Sequence, residues 1–176
     1  MLASPDDLFA FLDTLEIPHK TVTHPPLFTV EQSRELRGQI PGGHTKNLFL
    51  KDKKDAVFLV VAQEDAVIEL KSLHRQLGAS GRFSFDSADL LLELWGVLPG
   101  AVTPFGAIND TGHRVTIVLD APMMEHQTLN YHPLVNTMTT SIGRDDLVRF
   151  LTATGHPPRI ETVSGAAPPG EAETTP

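Results

Sequence analysis

The chain has 176 residues, 40% hydrophobic and 20% charged, which are the proportions of one globular domain able to bury a substantial core. Its formal charge of -8 argues against a broadly basic nucleic-acid binder, and no apolar run approaches the roughly 20 residues of a membrane span. Without cysteine there is no disulfide, thiol nucleophile or thiolate metal site; residues 1–7 also lack the basic start and apolar core of a signal peptide, so a cytoplasmic location is expected.

Ser4-Pro5-Asp6-Asp7 reads as a helix start, with Leu8, Phe9, Phe11, Leu12 and Leu15 as its apolar stripe. Residues 19–24 alternate around Thr21 and Thr23 as a short strand, stopped by Pro25-Pro26. Thr29-Val30-Glu31-Gln32 resembles a capping box opening a helix that ends near Gly38. Pro41-Gly42-Gly43 then deliver the chain into Thr45-Lys46-Asn47-Leu48-Phe49-Leu50, a strand with Lys46, Leu48 and Leu50 on one face and Asn47 and Phe49 on the other. An ammonium beside two leucines is costly to desolvate unless it meets a cleft or an anion. Either Lys46 looks into a pocket from its floor, or it snorkels off the strand end with its head in water.

Asp52-Lys53-Lys54-Asp55 turns the chain back into residues 56–62, an apolar run suited to a strand covered on both faces. Residues 69–77 read as a helix capped by Gly78, residues 82–85 as a short strand, and residues 88–94 as a helix between Ser87 and Gly96. Residues 98–105 read as a loop, and Asn109-Asp110-Thr111-Gly112 as a hairpin turn into a strand over 114–119. Two further strands, 129–132 and 138–142, flank a loop. Asp145-Asp146 open a last helix bearing Leu147, Val148, Phe150 and Leu151, ended by Gly155. The expected fold is α/β, a mixed and mostly antiparallel sheet flanked by helices. One domain is expected over residues 1–160, followed by a disordered, acidic Pro/Gly-rich tail over 161–176.

Three stretches could carry chemistry. Lys46, Lys51, Lys53 and Lys54 fall within nine residues, as a solvated hairpin tip or as a contact for a phosphate-bearing ligand that also reaches Lys46. The loop from Gly96 to Gly106 holds three glycines and two prolines; its amides could form an oxyanion hole, or it could simply link a helix to a strand. The run from Tyr131 to Thr140 gathers an imidazole, an amide and hydroxyls, with His132 either a base or amine ligand near neutral pH or a turn histidine. The histidines lack helical zinc spacing, and neither a Gly-x-Ser-x-Gly elbow nor a P-loop is present, so no metal and no cofactor are expected.

His24-Pro25-Pro26, the strand over 45–50, Gly96 through Gly106, and His132-Pro133-Leu134-x-Asn136-x-x-Thr139 together resemble the YbaK and prolyl-tRNA-synthetase-associated domain family. Within it they are most similar to its freestanding alanyl-tRNA(Pro) editing members. The resemblance implies a YbaK-like α/β fold and a metal-free aminoacyl-tRNA deacylase that edits in trans. It places Lys46 on the family's functional lysine, which holds the tRNA 3′ end. Gly100-Ala101-Val102-Thr103-Pro104 falls on the family's Gly-x-x-x-Pro loop at the scissile ester, with Gly100, Ala101 and Pro104 carried over as catalytic and Val102 and Thr103 as substrate-binding. His132, Asn136 and Thr139 fall near the amino acid, and Asn47 is a plausible neighbour of Lys46.

An aminoacyl ester is already activated, so positioning water and polarising the carbonyl suffices without a nucleophile. A second, size-excluding hydrolytic site removes what a synthetase cannot reject by binding alone. Val30, Leu36 and His132 are the expected walls admitting alanine and excluding proline, while Lys46, Lys51, Lys53 and Lys54 would meet acceptor-end phosphates. The expected partners are the tRNA(Pro) acceptor end and, transiently, prolyl-tRNA synthetase or an elongation factor; neither DNA nor a membrane is expected, and the chain is expected to be a monomer. The rival readings are a cysteinyl-, seryl- or threonyl-tRNA deacylase, a noncatalytic tRNA- or synthetase-binding module and, third, a metal-dependent hydrolase.

Overall fold

A computed structural model of the protein describes residues 2–26 and 30–165, with the side chains of Val30, Ser33 and Arg37 outside that description. Helix α1 (Pro5–Thr14) starts where the sequence signals it. Ser4 Oγ accepts from the Asp7 amide at 3.1 Å, and the Asp7 carboxylate accepts from the Ser4 amide at 2.9 Å. Strands β1 (His19–Thr23), β2 (Gly43–Lys51), β3 (Val57–Gln63), β4 (Ser84–Phe85), β5 (Val115–Asp120), β6 (Thr128–Tyr131), β7 (Met138–Gly143) and β8 (Arg159–Glu161) form one sheet in the order β1-β7-β6-β2-β3-β5-β8, with β4 joined to β2. Four pairings are antiparallel and three parallel. The fold is therefore the expected mixed, mostly antiparallel α/β arrangement. No helix among the described residues is long and apolar enough to cross a membrane.

Register decides what each face carries, because directly paired residues project to the same side. One face joins Phe49, Leu59, Ile117, Leu129 and Ile142 to Leu8 and Leu12 of α1, to Trp95 and Phe105, and to Phe150 and Leu151 of α5 (Arg144–Ala153). The other joins Leu50, Phe58, Val60 and Val118 to Leu73 and Leu77 of α3 (Leu70–Leu77). That second face continues over β1, β7 and β6 as Lys20, Val22, Ser141 and Thr128, which line a cavity with Gln39, Ile40 and Pro41 beside α2 (Val30–Gln39). Strand β3 serves both cores, which explains its unbroken apolar run.

Three expectations need correction. Ser87 caps a helix, but only the short α4 (Ala88–Leu90) is α-helical, and Leu91–Trp95 is π-helical before Gly96 closes it at φ +73°. The wider turn delivers Leu91, Leu94 and Trp95 together into the core. Residues 109–112 are not a hairpin turn: Pro104–Asn109 is a 3₁₀ helix, and both neighbours of β5 lie parallel to it. Finally, residues 161–165 belong to the folded body. Asp120, wholly buried, accepts from the Val163 and Ser164 amides at 2.8 and 3.2 Å, and Val163 is buried. Residues 166–176 of the expected tail, and the Thr29 capping box, lie outside the described residues.

Candidate active site

The sheet splits beside Lys46. Strands β2 and β6 pair only at Gly43–Leu129 and His44–Asn130. Beyond that point β2 stays with β3 along its length, while β6 turns towards β7. Among the described residues this leaves Lys46 and Asn47 with no strand on their β6 side. Lys46 is half-buried, shares its face with Leu48 and Leu50, and donates its ammonium to the Ala66 carbonyl. It has no carboxylate partner among the described residues, so two of its three N–H donors stay uncommitted. Asn47 projects to the opposite face, where its Oδ1 is buried with no hydrogen-bond donor. An acceptor left in that condition costs about 1–3 kcal/mol.

The Gly/Pro loop lies on the Asn47 face and is clamped at its base. Trp95, wholly buried, donates Nε1–H to the Thr103 carbonyl at 2.6 Å, and its own carbonyl accepts from Asn109 Nδ2 at 3.0 Å. The indole packs so closely on Gly106 that a Cβ there would stand 2.1 Å from Cδ1. Thr103 Oγ1 accepts from the Phe105 amide at 3.3 Å and opens the 3₁₀ turn. Thr103, Pro104 and Ala101 are buried and Val102 half-buried, whereas Gly100 is exposed at φ +91°. Among the described residues the Gly100 and Val102 amides donate to nothing, so both are available to an oxyanion. Asn136 joins the loop to the β6–β7 connection: its Nδ2 lies 3.7 Å from where a Gly100 Cβ would be.

A pair of imidazoles occupies the Lys46 face. His24 donates Nδ1–H to the Pro25 carbonyl at 2.8 Å, so its Nε2 accepts from the Thr139 hydroxyl, also at 2.8 Å. The His132 ring lies 6.2 Å from it and donates Nδ1–H to the Met138 carbonyl at 2.9 Å. Burial holds the His132 pKa below the usual histidine range; the Met138 bond opposes that shift and the nearby His24 adds to it. His132 is thus a neutral imidazole at neutral pH, and its Nε2 lone pair has no donor among the described residues. The turn that sets it is strained, because buried Leu134 sits at φ +71°, in the left-handed region, with its amide on the His132 carbonyl at 3.0 Å. Leu36 of α2 is buried against a cavity of about 290 Å³ shared with His24, Pro26, Gln32, Glu35 and Gln39.

The structure thus brings His24, His132 and Thr139 together and sets Asn136 beside Gly100, while Lys46 and Asn47 stand on opposite faces of β2 and Leu36 lines the cavity beside His24. Val30 is the first residue of α2, its side chain outside the description. The other lysines stand apart. Five residues at about 3.3 Å each place Lys51 roughly 17 Å along β2 from Lys46, and Lys53 and Lys54 lie further still in the turn. Burial raises the Asp86 pKa, with Lys51 opposing it only in part; desolvation also pushes Asp52 up, but three backbone N–H bonds and Lys54 together hold it below the usual range. Sequence reasoning left Trp95, His24 and Leu134 without roles; the only tryptophan, directly before a capping glycine, was the one signal that pointed to the clamp.

The chain is thus a small α/β domain in which, among the described residues, Lys46 has no carboxylate partner, His132 is a neutral imidazole and the Gly/Pro loop is clamped by Trp95. The chain belongs to the aminoacyl-tRNA editing domain family, whose sequence model matches residues 24–150. It is 41% identical over 156 residues to prolyl-tRNA synthetase associated domain-containing protein 1 of Danio rerio, covering 88% of this chain and 84% of that one. It is 33% identical over 150 residues to the prolyl-tRNA editing protein ProX of Acetoanaerobium sticklandii, covering 85% and 91%. Its fold matches the crystal structure of a candidate trans-editing enzyme for prolyl tRNA synthetase with a TM-score of 0.68 at 17% identity, covering 93% and 99%. It is accordingly an aminoacyl-tRNA editing domain homologous to the first two of these proteins, with the fold of the third.

Proposed function

We propose that the protein is a cytoplasmic trans-editing deacylase that hydrolyses the ester of mischarged alanyl-tRNA(Pro). The observations that support the reading are a half-buried Lys46 with no carboxylate partner among the described residues and, on the opposite face of β2, a clamped loop whose Gly100 and Val102 amides have no acceptor among them. Lys46 holds a phosphate or hydroxyl of the tRNA 3′ end. The loop amides receive the ester carbonyl, whose oxygen gains charge as water attacks its carbon. The tetrahedral intermediate then collapses, releasing alanine and the ribose hydroxyl of the terminal adenosine. His132 Nε2 accepts an N–H from the substrate α-ammonium and so orients the ester. Asn47 Oδ1, buried and without a donor among the described residues, takes a substrate hydroxyl or amine once its side chain turns towards it. Because the Trp95 clamp is in place before substrate arrives, the loop reorganises little during the reaction.

Leu36 supports a small apolar side chain in the neighbouring cavity. The polar groups around it, His24, Gln32, Glu35 and Gln39, favour a second reading in which serine or cysteine is the amino acid removed. The test is deacylation of alanyl-, seryl-, cysteinyl- and prolyl-tRNA(Pro) by wild type and Lys46→Ala. Rapid release of alanine alone, lowered by about 100-fold in the variant, is the expected result. Release of serine or cysteine instead would transfer the specificity and keep the reaction. No hydrolysis of any ester would leave a noncatalytic module that binds tRNA or prolyl-tRNA synthetase.

A further inference from the structure

Lys46 takes its direction from the Ala66 carbonyl, and Ala66 lies in the connection after β3, a segment with little core of its own: Val67 next to it is 68% exposed. The start of that connection is tied locally, by the Glu64 amide on the His44 carbonyl and the Ala66 amide on the Gln63 carbonyl, both at 3.0 Å. Its far side is tied by residues nearly a hundred positions later. Ile68 bridges Ser164, and the Gly165 amide donates to the Val67 carbonyl at 3.0 Å. Residues 162–165 form a strap that is itself anchored: Asp120 Oδ1 accepts from the Val163 and Ser164 amides, and Asp120 Oδ2 from the Ser164 hydroxyl. Buried Val163 and wholly buried Asp120 fasten the strap to the second core.

We infer that this strap is a positioning element for Lys46, fixing Val67 and Ile68 so that the Ala66 carbonyl holds the ammonium aimed across the split between β2 and β6. The inference rests on the functional reading of Lys46 given above. A free lysine side chain spreads over many rotamers and loses that freedom on gripping an anion. With one N–H already on a fixed carbonyl, most of that loss is incurred during folding, and two N–H groups face the substrate. Ser164 and Gly165 never touch substrate in this arrangement. They act through Ala66.

Gly165→Pro tests it. Proline removes the N–H that bonds Val67 and cannot adopt the φ of +75° found there, while the exposed position lies outside both cores. Ser164→Ala, which deletes only the hydroxyl bond to Asp120, is the second variant. Each is measured for kcat and KM on alanyl-tRNA(Pro) in the wild-type and Lys46→Ala backgrounds, together with its thermal midpoint and the reductive-methylation rate of the Lys46 amine. Gly165→Pro is expected to lower kcat/KM about tenfold in the wild-type background and to change nothing once Lys46 is gone, as coupled positions do. The midpoint should fall by only about 2–4 °C, leaving the chain folded at the assay temperature, and the Lys46 amine should methylate faster. An equal fall in both backgrounds, or no fall in either, overturns the inference. Should Lys46→Ala deacylate at the wild-type rate, the functional reading fails on its own. The strap is then judged by Lys46 methylation, and an unchanged rate in Gly165→Pro overturns it.

Discussion

Replacing Trp95 with phenylalanine separates the clamp from the core. The indole fills the space between Phe49, whose ring centroid lies 5.9 Å away, and His156, also at 5.9 Å, so a phenyl ring keeps most of those contacts. What it loses is Nε1–H, the donor to the Thr103 carbonyl. Thr103 is wholly buried, so water does not replace that donor, and an orphaned acceptor costs about 1–3 kcal/mol. The smaller ring also leaves a void where the pyrrole stood, adding about 1–2 kcal/mol. Together these lower stability by roughly 2–5 kcal/mol, or about 5–15 °C in thermal midpoint for a chain of this length. Urea unfolding followed by far-UV circular dichroism measures the loss, and single-turnover deacylation well below the midpoint measures its consequence. A loop freed at Thr103 should misplace the Gly100 and Val102 amides and slow the chemical step by about 10–100-fold, with KM little changed. A variant as stable as wild type would refute the burial reasoning. One that is destabilised yet hydrolyses at the wild-type rate would refute the link between clamp and catalysis.

Two further outcomes follow from charge. Because the folded His132 pKa is lowered, the unfolded chain takes up a proton at the ordinary value of 6.5 before the folded chain does. Stability should therefore fall as pH drops below 6.5, until the folded imidazole is also protonated. His132→Gln should flatten that slope, and activity should show an acidic limb below pH 6.5, read from pH-dependent unfolding and rate profiles. Charge reversal of Lys53 and Lys54 should shift the salt dependence of tRNA binding without altering kcat, since both lie in the turn at the far end of β2 from Lys46. A drop in kcat would place the hairpin in the site after all.

What the sequence revealed were the features whose causes are local. The Ser4–Asp7 box, the Gly78 cap at φ +72° and the facing of Lys46 with Leu48 and Leu50 are set by residues within a few positions of one another. The π turn at Leu91–Trp95 and the strand after residue 158 are not. The first exists because three side chains must reach one core, and the second because Arg159–Glu161 pair in parallel with Val118–Asp120, some forty residues earlier. The same division runs through the site. Alternation alone put Lys46 and Asn47 on opposite faces. The state of His132 depends on the Met138 carbonyl and on burial, and the rigidity of the loop depends on one indole N–H meeting one carbonyl. A motif places such residues in order but carries no information about which atom is left free.

The opposed facing of Lys46 and Asn47 bears on how one short motif can serve a long substrate. A strand inside a sheet shows its two faces to separate layers, and a ligand on one face is shielded from the other. Here the parallel pairing of β2 with β6 stops after two residue pairs, immediately before Lys46 and Asn47. The dipeptide offers a cation on the side of α2 and an unfilled amide oxygen on the side of the Trp95-clamped loop. An aminoacylated ribose has this same division, with its phosphate at one end and the ester and amine at the other. A continuous strand pairing would close the gap and separate the two groups; an unpaired loop would leave them mobile. In the proposed function, holding β2 through β3 while releasing it from β6 avoids both, so the reading rests on the broken pairing as much as on any single side chain.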